Sequence, residues 1–180
     1  MEKKKIATVW LGGCSGCHMS LLDMDERILE LAKLATLVKC PLVDGKELPQ
    51  VDLTLVEGAV TSDEHLSEIL NIRKQSTWVV ALGDCAVMSN ITGMRNYFLL
   101  QDVLETSYKT APGMDDKSEM PSNPELLKLI PKALPLQEVI EVDVVIPGCP
   151  PDADTIFFVI NELLNNRKPD LSIVKKLRYG

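Results

Sequence analysis

Apolar positions along this chain follow two different spacings. In five short runs, Ile6 to Leu11, Thr36 to Val43, Val51 to Val56, Thr77 to Leu82 and Val142 to Ile146, most residues are apolar and many are β-branched. Such runs predict strands covered on both faces. Between them, apolar residues recur every three or four positions. Leu21, Met24, Ile28, Leu31, Ala32 and Ala35 share one side of a helix predicted over Ser20 to Ala35. Ser62, followed by Asp63 and Glu64, predicts a capped helix start with Leu66, Ile69 and Leu70 turned inward. A helical stretch is predicted near Met94 to Thr106. A final helix after Pro151 carries Ala153, Ile156, Phe157, Ile160, Leu163 and Leu164 on one face.

Strands alternating with helices of this length predict an α/β fold, a flavodoxin-like parallel sheet with helices on both faces. With 180 residues and 46% apolar composition, the chain is long enough for a single domain over residues 1–180 with its own core. The pattern breaks between about residues 107 and 137. Pro112, Pro121, Pro124, Pro131 and Pro135 exclude a regular core element there, although a short helix at Glu125 to Ile130 fits. This insertion is predicted to wrap the surface or meet a partner.

Charge narrows the partners. Lys+Arg 19 against Asp+Glu 26 gives a net charge of -7, which offers no footprint for a phosphate backbone, so nucleic acid is not expected. No run approaches the roughly 20 apolar residues of a membrane span. The opening Met1-Glu2-Lys3-Lys4-Lys5, with Leu11-Gly12-Gly13-Cys14 further on, resembles a lipoprotein signal. Its removal would delete the first strand, and the apolar run is short for that purpose. Five cysteines is an odd number, which argues against a disulfide framework and for a reducing, cytoplasmic setting.

Where the cysteines fall is more telling. Cys14 and Cys17 follow the first predicted strand, Cys85 the fourth and Cys149 the fifth. In an open parallel sheet all carboxyl-terminal strand ends emerge on one edge, where ligands bind. Folding is therefore expected to gather these four thiols at one place, a count and chemistry that suit an iron-sulfur cluster. Gly12, Gly13, Gly16, Gly58, Gly83 and Gly148 border the same positions, and glycine permits close backbone approach to a cluster. Cys40 is expected as a buried core thiol, His18 as a neighbour of the ligands and His65 as a solvated side chain. Glu57, at the end of the third strand, fits either a helix-capping carboxylate or a place beside the site.

Other chemistries fit part of the pattern. Four thiolates would suit a structural zinc, giving a scaffold rather than a redox protein, but zinc ligands usually come in local pairs and there is no second CxxC. Cys14 and Cys17 alone would suit a redox dithiol, leaving Cys85 and Cys149 without a role. The run Gly12-Gly13-Cys14-Ser15-Gly16 before a helix would suit a flavin phosphate, as in a flavodoxin-like flavin oxidoreductase.

Taken together, Trp10-Leu11, Cys14-Ser15-Gly16-Cys17-His18-Met19-Ser20, Val56-Glu57-Gly58, Gly83-Asp84-Cys85-Ala86 and Pro147-Gly148-Cys149-Pro150-Pro151 resemble the small, electron-transferring subunit of [NiFe] hydrogenases and related subunits of respiratory complex I. Leu22-Asp23-Met24-Asp25-Glu26 and Thr92-Gly93-Met94-Arg95-Asn96 bring the resemblance nearest to the cytoplasmic, bidirectional, NAD(P)-linked hydrogenases. Complex I counterparts present two adjacent cysteines in the first motif, whereas Cys14 and Cys17 are separated here. Periplasmic and membrane-bound uptake enzymes carry a twin-arginine leader and a later domain with more clusters, and neither is found in this sequence.

The resemblance implies one proximal [4Fe-4S] cluster on Cys14, Cys17, Cys85 and Cys149, with Gly13, Gly16, His18, Glu57 and Gly148 around it. It places the Ni-Fe centre in a partner large subunit. It further implies diaphorase subunits, carrying iron-sulfur clusters and FMN, that reduce NAD+ or NADP+. A second FMN on this fold is also within the resemblance. The loop from Gly12 to Gly16 would serve its phosphate only if it did not also wrap the cluster.

Overall fold

The computed structural model describes residues 3–43, 45, 47–115 and 119–174. Five strands, β1 (Lys4–Trp10), β2 (Ala35–Lys39), β3 (Val51–Glu57), β5 (Ser76–Leu82) and β7 (Val144–Ile146), form one sheet in the order β2-β1-β3-β5-β7. Every pairing in it is parallel. Counting only these strands, the order is that of flavodoxin. The α/β expectation holds.

The strands are apolar throughout because both faces are covered. In β5, Val80 and Leu82 pack on one side with Ile156, Val159, Ile160 and Leu163. Val79 and Ala81 pack on the other with Ile69 and Ile72. The first side is covered by α7 (Ala153–Leu164) and α1 (Gly16–Leu22), the second by α3 (Asp63–Gln75). Each fully buried Leu or Ile in these layers stabilises the fold by about 1.5–3 kcal/mol relative to exposure. Ser62 caps α3 as its position predicts, accepting the His65 N–H through Oγ.

Several boundaries differ from expectation. The helix over Ser20 to Ala35 is two helices, α1 and α2 (Arg27–Leu34), with a turn between them in which Asp25 has φ 51°. Asp tolerates that conformation better than most side chains, and the apolar period runs on across the break because Met24 still tucks inward within the turn. Strand β2 ends at Lys39, so Cys40 sits half-buried where the chain leaves the sheet edge rather than in the core. In α3, Leu70 is exposed and Ile72 is buried in its place. The stretch near Met94 to Thr106 is not one helix. Short turns, α4 (Asp84–Met88), α5 (Asn90–Gly93) and a 3-10 turn (Met94–Tyr97), precede α6 (Leu100–Glu105), with Ser89 and Asn90 at positive φ.

The proline-rich insertion holds no helix at Glu125 to Ile130. Residues 129–134 instead form β6 (Leu129–Leu134), antiparallel to β4 (Val60–Ser62). A two-stranded edge accepts Pro131 where a central strand would not. Arg95 straps β6 in place, its guanidinium donating to Ile130 O at 2.9 Å and Pro131 O at 3.1 Å. Asn96 holds both the N–H and the C=O of Ala133 at 2.8 Å. The Thr92 to Asn96 motif therefore has a structural task. Among the described residues no helix is long and apolar enough to cross a membrane.

Candidate functional site

Strands β1, β3, β5 and β7 deliver their carboxyl ends to one edge of the sheet, and neighbouring loops there are bonded together. On one side, Leu11 N–H donates to Glu57 O at 2.8 Å, and Gly12 exchanges both backbone bonds with Ala59 at 2.9 Å. On the other, Gly83 N–H donates to Ile146 O and Asp84 N–H to Gly148 O. Buried Asp84 returns the bond, its Oδ1 accepting the Gly148 N–H at 2.7 Å. Ser20 Oγ donates to Pro151 O and so ties α1 to the loop that carries Cys149. Sequence alone marked Asp84 and Ser20 only as parts of motifs; their roles are contacts with residues far along the chain.

Cys14, Cys17, Cys85 and Cys149 lie on these loops at the sheet edge. Burial raises the Cys17 thiol strongly, followed by the charge of Glu57 and then by Cys14, Cys85 and Cys149. Cys85 is raised too, first by burial, with Cys149 and Cys14 contributing and backbone N–H groups of Ile91 and Thr92 opposing. Cys17 is only 6% exposed, Cys85 is half-buried, and Cys14 and Cys149 are open to solvent. Gly83 is the close neighbour of Cys17: a Cβ at Gly83 would stand 2.2 Å from Cys17 Sγ.

Glu57 and His18 sit beside the thiols. The Glu57 side chain is 1% exposed. Its Oε2 accepts the His18 N–H at 2.9 Å and meets His18 Nδ1 at 2.5 Å, while Oε1 accepts the Cys17 N–H at 3.4 Å. His18 Nε2 is buried with no hydrogen-bond partner among the described residues. An orphaned polar atom at this place is what a site completed by a further group would leave.

His65 is not solvated as its position on a polar first turn suggests. It is half-buried because α3 starts directly after β4, and Thr61 in that strand bonds its Nδ1 from the backbone N–H at 3.3 Å and meets it with Oγ1 at 3.0 Å. Burial pushes its pKa down, against Glu68 and Glu64.

Two partial chemistries can be set against this geometry. A single zinc ion would draw thiolates to about 3.8 Å of one another, and among the described residues no three His, Cys, Asp or Glu side chains surround one ion. A cubane gives each cysteine a different iron and suits wider spacing. In the Gly12 to Gly16 loop the Gly12 N–H already donates to Ala59 O, which takes one amide away from a phosphate cradle there.

The family model for the NADH ubiquinone oxidoreductase, 20 Kd subunit, matches residues 14–163, from the first of these cysteines to beyond the last. The chain belongs to the NADH ubiquinone oxidoreductase 20 Kd subunit family. Within that family it is a homologue of hydrogenase subunits. It is 40% identical over 174 residues to the NAD-reducing hydrogenase HoxS subunit delta of Cupriavidus necator, covering 94% of this chain and 82% of that protein. With a subunit of the F420-non-reducing hydrogenase of Methanothermobacter marburgensis the identity is 35%, over 94% of this chain but 56% of the relative, so the chain spans about half the length of that protein. The same fold is present in a crystal structure of an NAD+-reducing [NiFe]-hydrogenase in the H2-reduced state, with a TM-score of 0.95, 35% identity and coverage of 99% of this chain and 100% of that one. The [NiFeSe] hydrogenase of Desulfomicrobium baculatum shares the fold alone, with a TM-score of 0.58 and 20% identity over 94% of this chain and 67% of that one. This family member is thus homologous to a subunit of an oxidoreductase complex, the NAD-reducing [NiFe] hydrogenase.

Proposed function

We propose that this chain is the electron-relay subunit of an NAD(P)-linked [NiFe] hydrogenase and holds one [4Fe-4S] cluster on Cys14, Cys17, Cys85 and Cys149. What supports this reading is the arrival at one sheet edge of the loops that carry these four cysteines, tied to one another by the bonds of Leu11, Gly12, Gly83, Asp84 and Ser20. Bound there, such a cluster takes up and releases electrons one at a time, at a potential set by burial and by hydrogen bonds to its sulfurs.

The chain's own residues shape the place. Gly83 leaves room for Cys17 Sγ. The paired bonds between Asp84 and Gly148 fix the separation of the loops bearing Cys85 and Cys149. Burial pushes the Cys17 thiol up, whereas cysteine binds metal as the thiolate. Gly13, Gly16, His18, Glu57 and Gly148 border the thiols.

With Cys40 as the one cysteine left over, the chain has no thiols for a second four-cysteine cluster or for nickel. The Ni-Fe centre then belongs to a large subunit, and diaphorase subunits with iron-sulfur clusters and FMN carry electrons to NAD+ or NADP+, in a cytoplasmic assembly. Similarity to an NAD-reducing hydrogenase subunit supports that arrangement. So does the exposed apolar series Ile91, Met94, Tyr97, Phe98 and Leu99, which follows Cys85 and suits a subunit contact.

The test is anaerobic purification with copurifying partners, followed by iron, sulfide, zinc and flavin analysis and electron paramagnetic resonance of the reduced sample. A brown chain with about four irons and four acid-labile sulfides is expected. Zinc without sulfide would replace the reading with a scaffold, and flavin without iron would replace it with a flavodoxin-like oxidoreductase.

A further inference from the structure

Glu57 is an expensive residue for a sheet end. A carboxylate taken from water into a protein interior costs several kcal/mol unless its oxygens are satisfied, and an apolar side chain in this packed layer would be cheaper. Its partners share a direction. All three partners, the Cys17 N–H at 3.4 Å, the His18 N–H at 2.9 Å and His18 Nδ1 at 2.5 Å, belong to the first turn of α1. None belongs to α3 or α7. Gly13 packs over the residue that follows Glu57, where an added Cβ would lie 3.2 Å from Gly58 Cα.

We propose that Glu57 is a positioning residue for the thiol site: its carboxylate clamps the Cys17–His18 backbone and the His18 ring, and so fixes where Cys17 Sγ stands and how the His18 ring is turned. The inference rests on the reading that these thiols hold an iron-sulfur cluster. Cys17 has no room to compensate for a slack turn, since it is buried and faces Gly83 directly. With Nδ1 facing that carboxylate the ring is oriented from one side, and Nε2, buried and without a partner among the described residues, is left for the group that would complete the site.

Glu57→Gln is near-isosteric but turns an NH2 group toward donors, and Glu57→Ala removes the clamp. Each is purified anaerobically as the full chain with its copurifying partners. Hydrogen-bond partners of metal ligands commonly change metal affinity by about 10- to 100-fold when lost. Iron loss to a ferrous chelator should accelerate by about that factor in Glu57→Ala and less in Glu57→Gln. In both, the g-values and midpoint potential of the reduced cluster should move from those of the wild type. A residue that only stabilises the fold would lower the unfolding midpoint and leave spectrum, potential and iron-loss rate untouched; that result overturns the proposal. If neither variant accumulates, His18→Ala must show the same spectral change in smaller measure, and an unaltered spectrum there overturns it equally. Wild type lacking iron and sulfide would instead overturn the cluster reading itself, and this inference with it.

Discussion

Replacing Gly83 with alanine should damage the site far more than the fold. Gly83 has φ 82° and ψ 163°, a region essentially reserved for glycine, so any side chain there costs about 1–3 kcal/mol in backbone strain. The new Cβ would also stand 2.2 Å from Cys17 Sγ, against 3.4–4 Å for an ordinary contact. The sulfur must therefore withdraw by more than an ångström. Turning about its own Cα–Cβ bond is the easiest escape, and it carries the thiol away from Cys14, Cys85 and Cys149. The backbone bond from Gly83 N–H to Ile146 O survives in an alanine, so the sheet keeps its last pairing. Urea unfolding should then show a loss of about 1–3 kcal/mol. Iron and acid-labile sulfide per chain should drop to a small fraction of wild type, with loss of absorbance near about 400 nm. Gly83→Ala with full iron, full sulfide and a wild-type paramagnetic signal would refute the placing of Cys17 among the ligands.

Cys17→Ser and Cys149→Ser should each remove or convert the cluster and abolish NAD-linked hydrogen oxidation, whereas Cys40→Ser, at a half-buried thiol leaving the sheet edge, should keep iron and activity; iron analysis and a hydrogen-dependent NAD reduction assay check all three. His65 makes stability fall in mild acid. Its folded pKa lies below the ordinary 6.5 because it is buried, so the unfolded chain takes up a proton that the folded chain refuses. Stability is complete above about pH 6.5 and declines as pH drops below it. Urea midpoints at about pH 7.5 and about pH 5.5 should diverge less in His65→Gln than in wild type. Asp143 Oδ2 holds both Arg73 Nη1 at 2.6 Å and the Val79 N–H at 2.7 Å. Asp143→Ala should cost about 1–3 kcal/mol in urea unfolding.

The sheet was legible because strands buried on both faces leave unbroken apolar runs, and Val79 to Leu82 is fully buried as such a run requires. The division of α1 from α2 was not, since an apolar period reports only which side faces inward and Met24 faces inward in a turn as it would in a helix. Strand β6 was hidden for another reason. Pro131 and Lys132 look like loop, and the partner strand, Val60–Ser62, is too short to register on its own. For the site, four cysteines at strand ends need only the rule that parallel strands finish on one edge. Glu57 was visible as a strand-end carboxylate, but its burial follows from the approach of α1 across the sheet edge. Asp84 and Ser20 act on Gly148 and Pro151, contacts that no local pattern announces. His65 and Cys40 were misplaced because their surroundings depend on where β4 begins and β2 stops.

Ser20, just after the first two thiols, meets Pro151, just after the last, across 131 positions of chain. A ribosome adding about 5–20 residues per second needs on the order of ten seconds to make that much protein. For most of that interval Cys14 and Cys17 have been made while the loop bearing Cys149 does not yet exist. If these thiols hold the proposed cluster, iron delivery follows synthesis of the sheet, and the early thiols must be kept reduced while they wait. Cells short of reductant should accumulate chains with Cys14 and Cys17 oxidised and the other thiols intact.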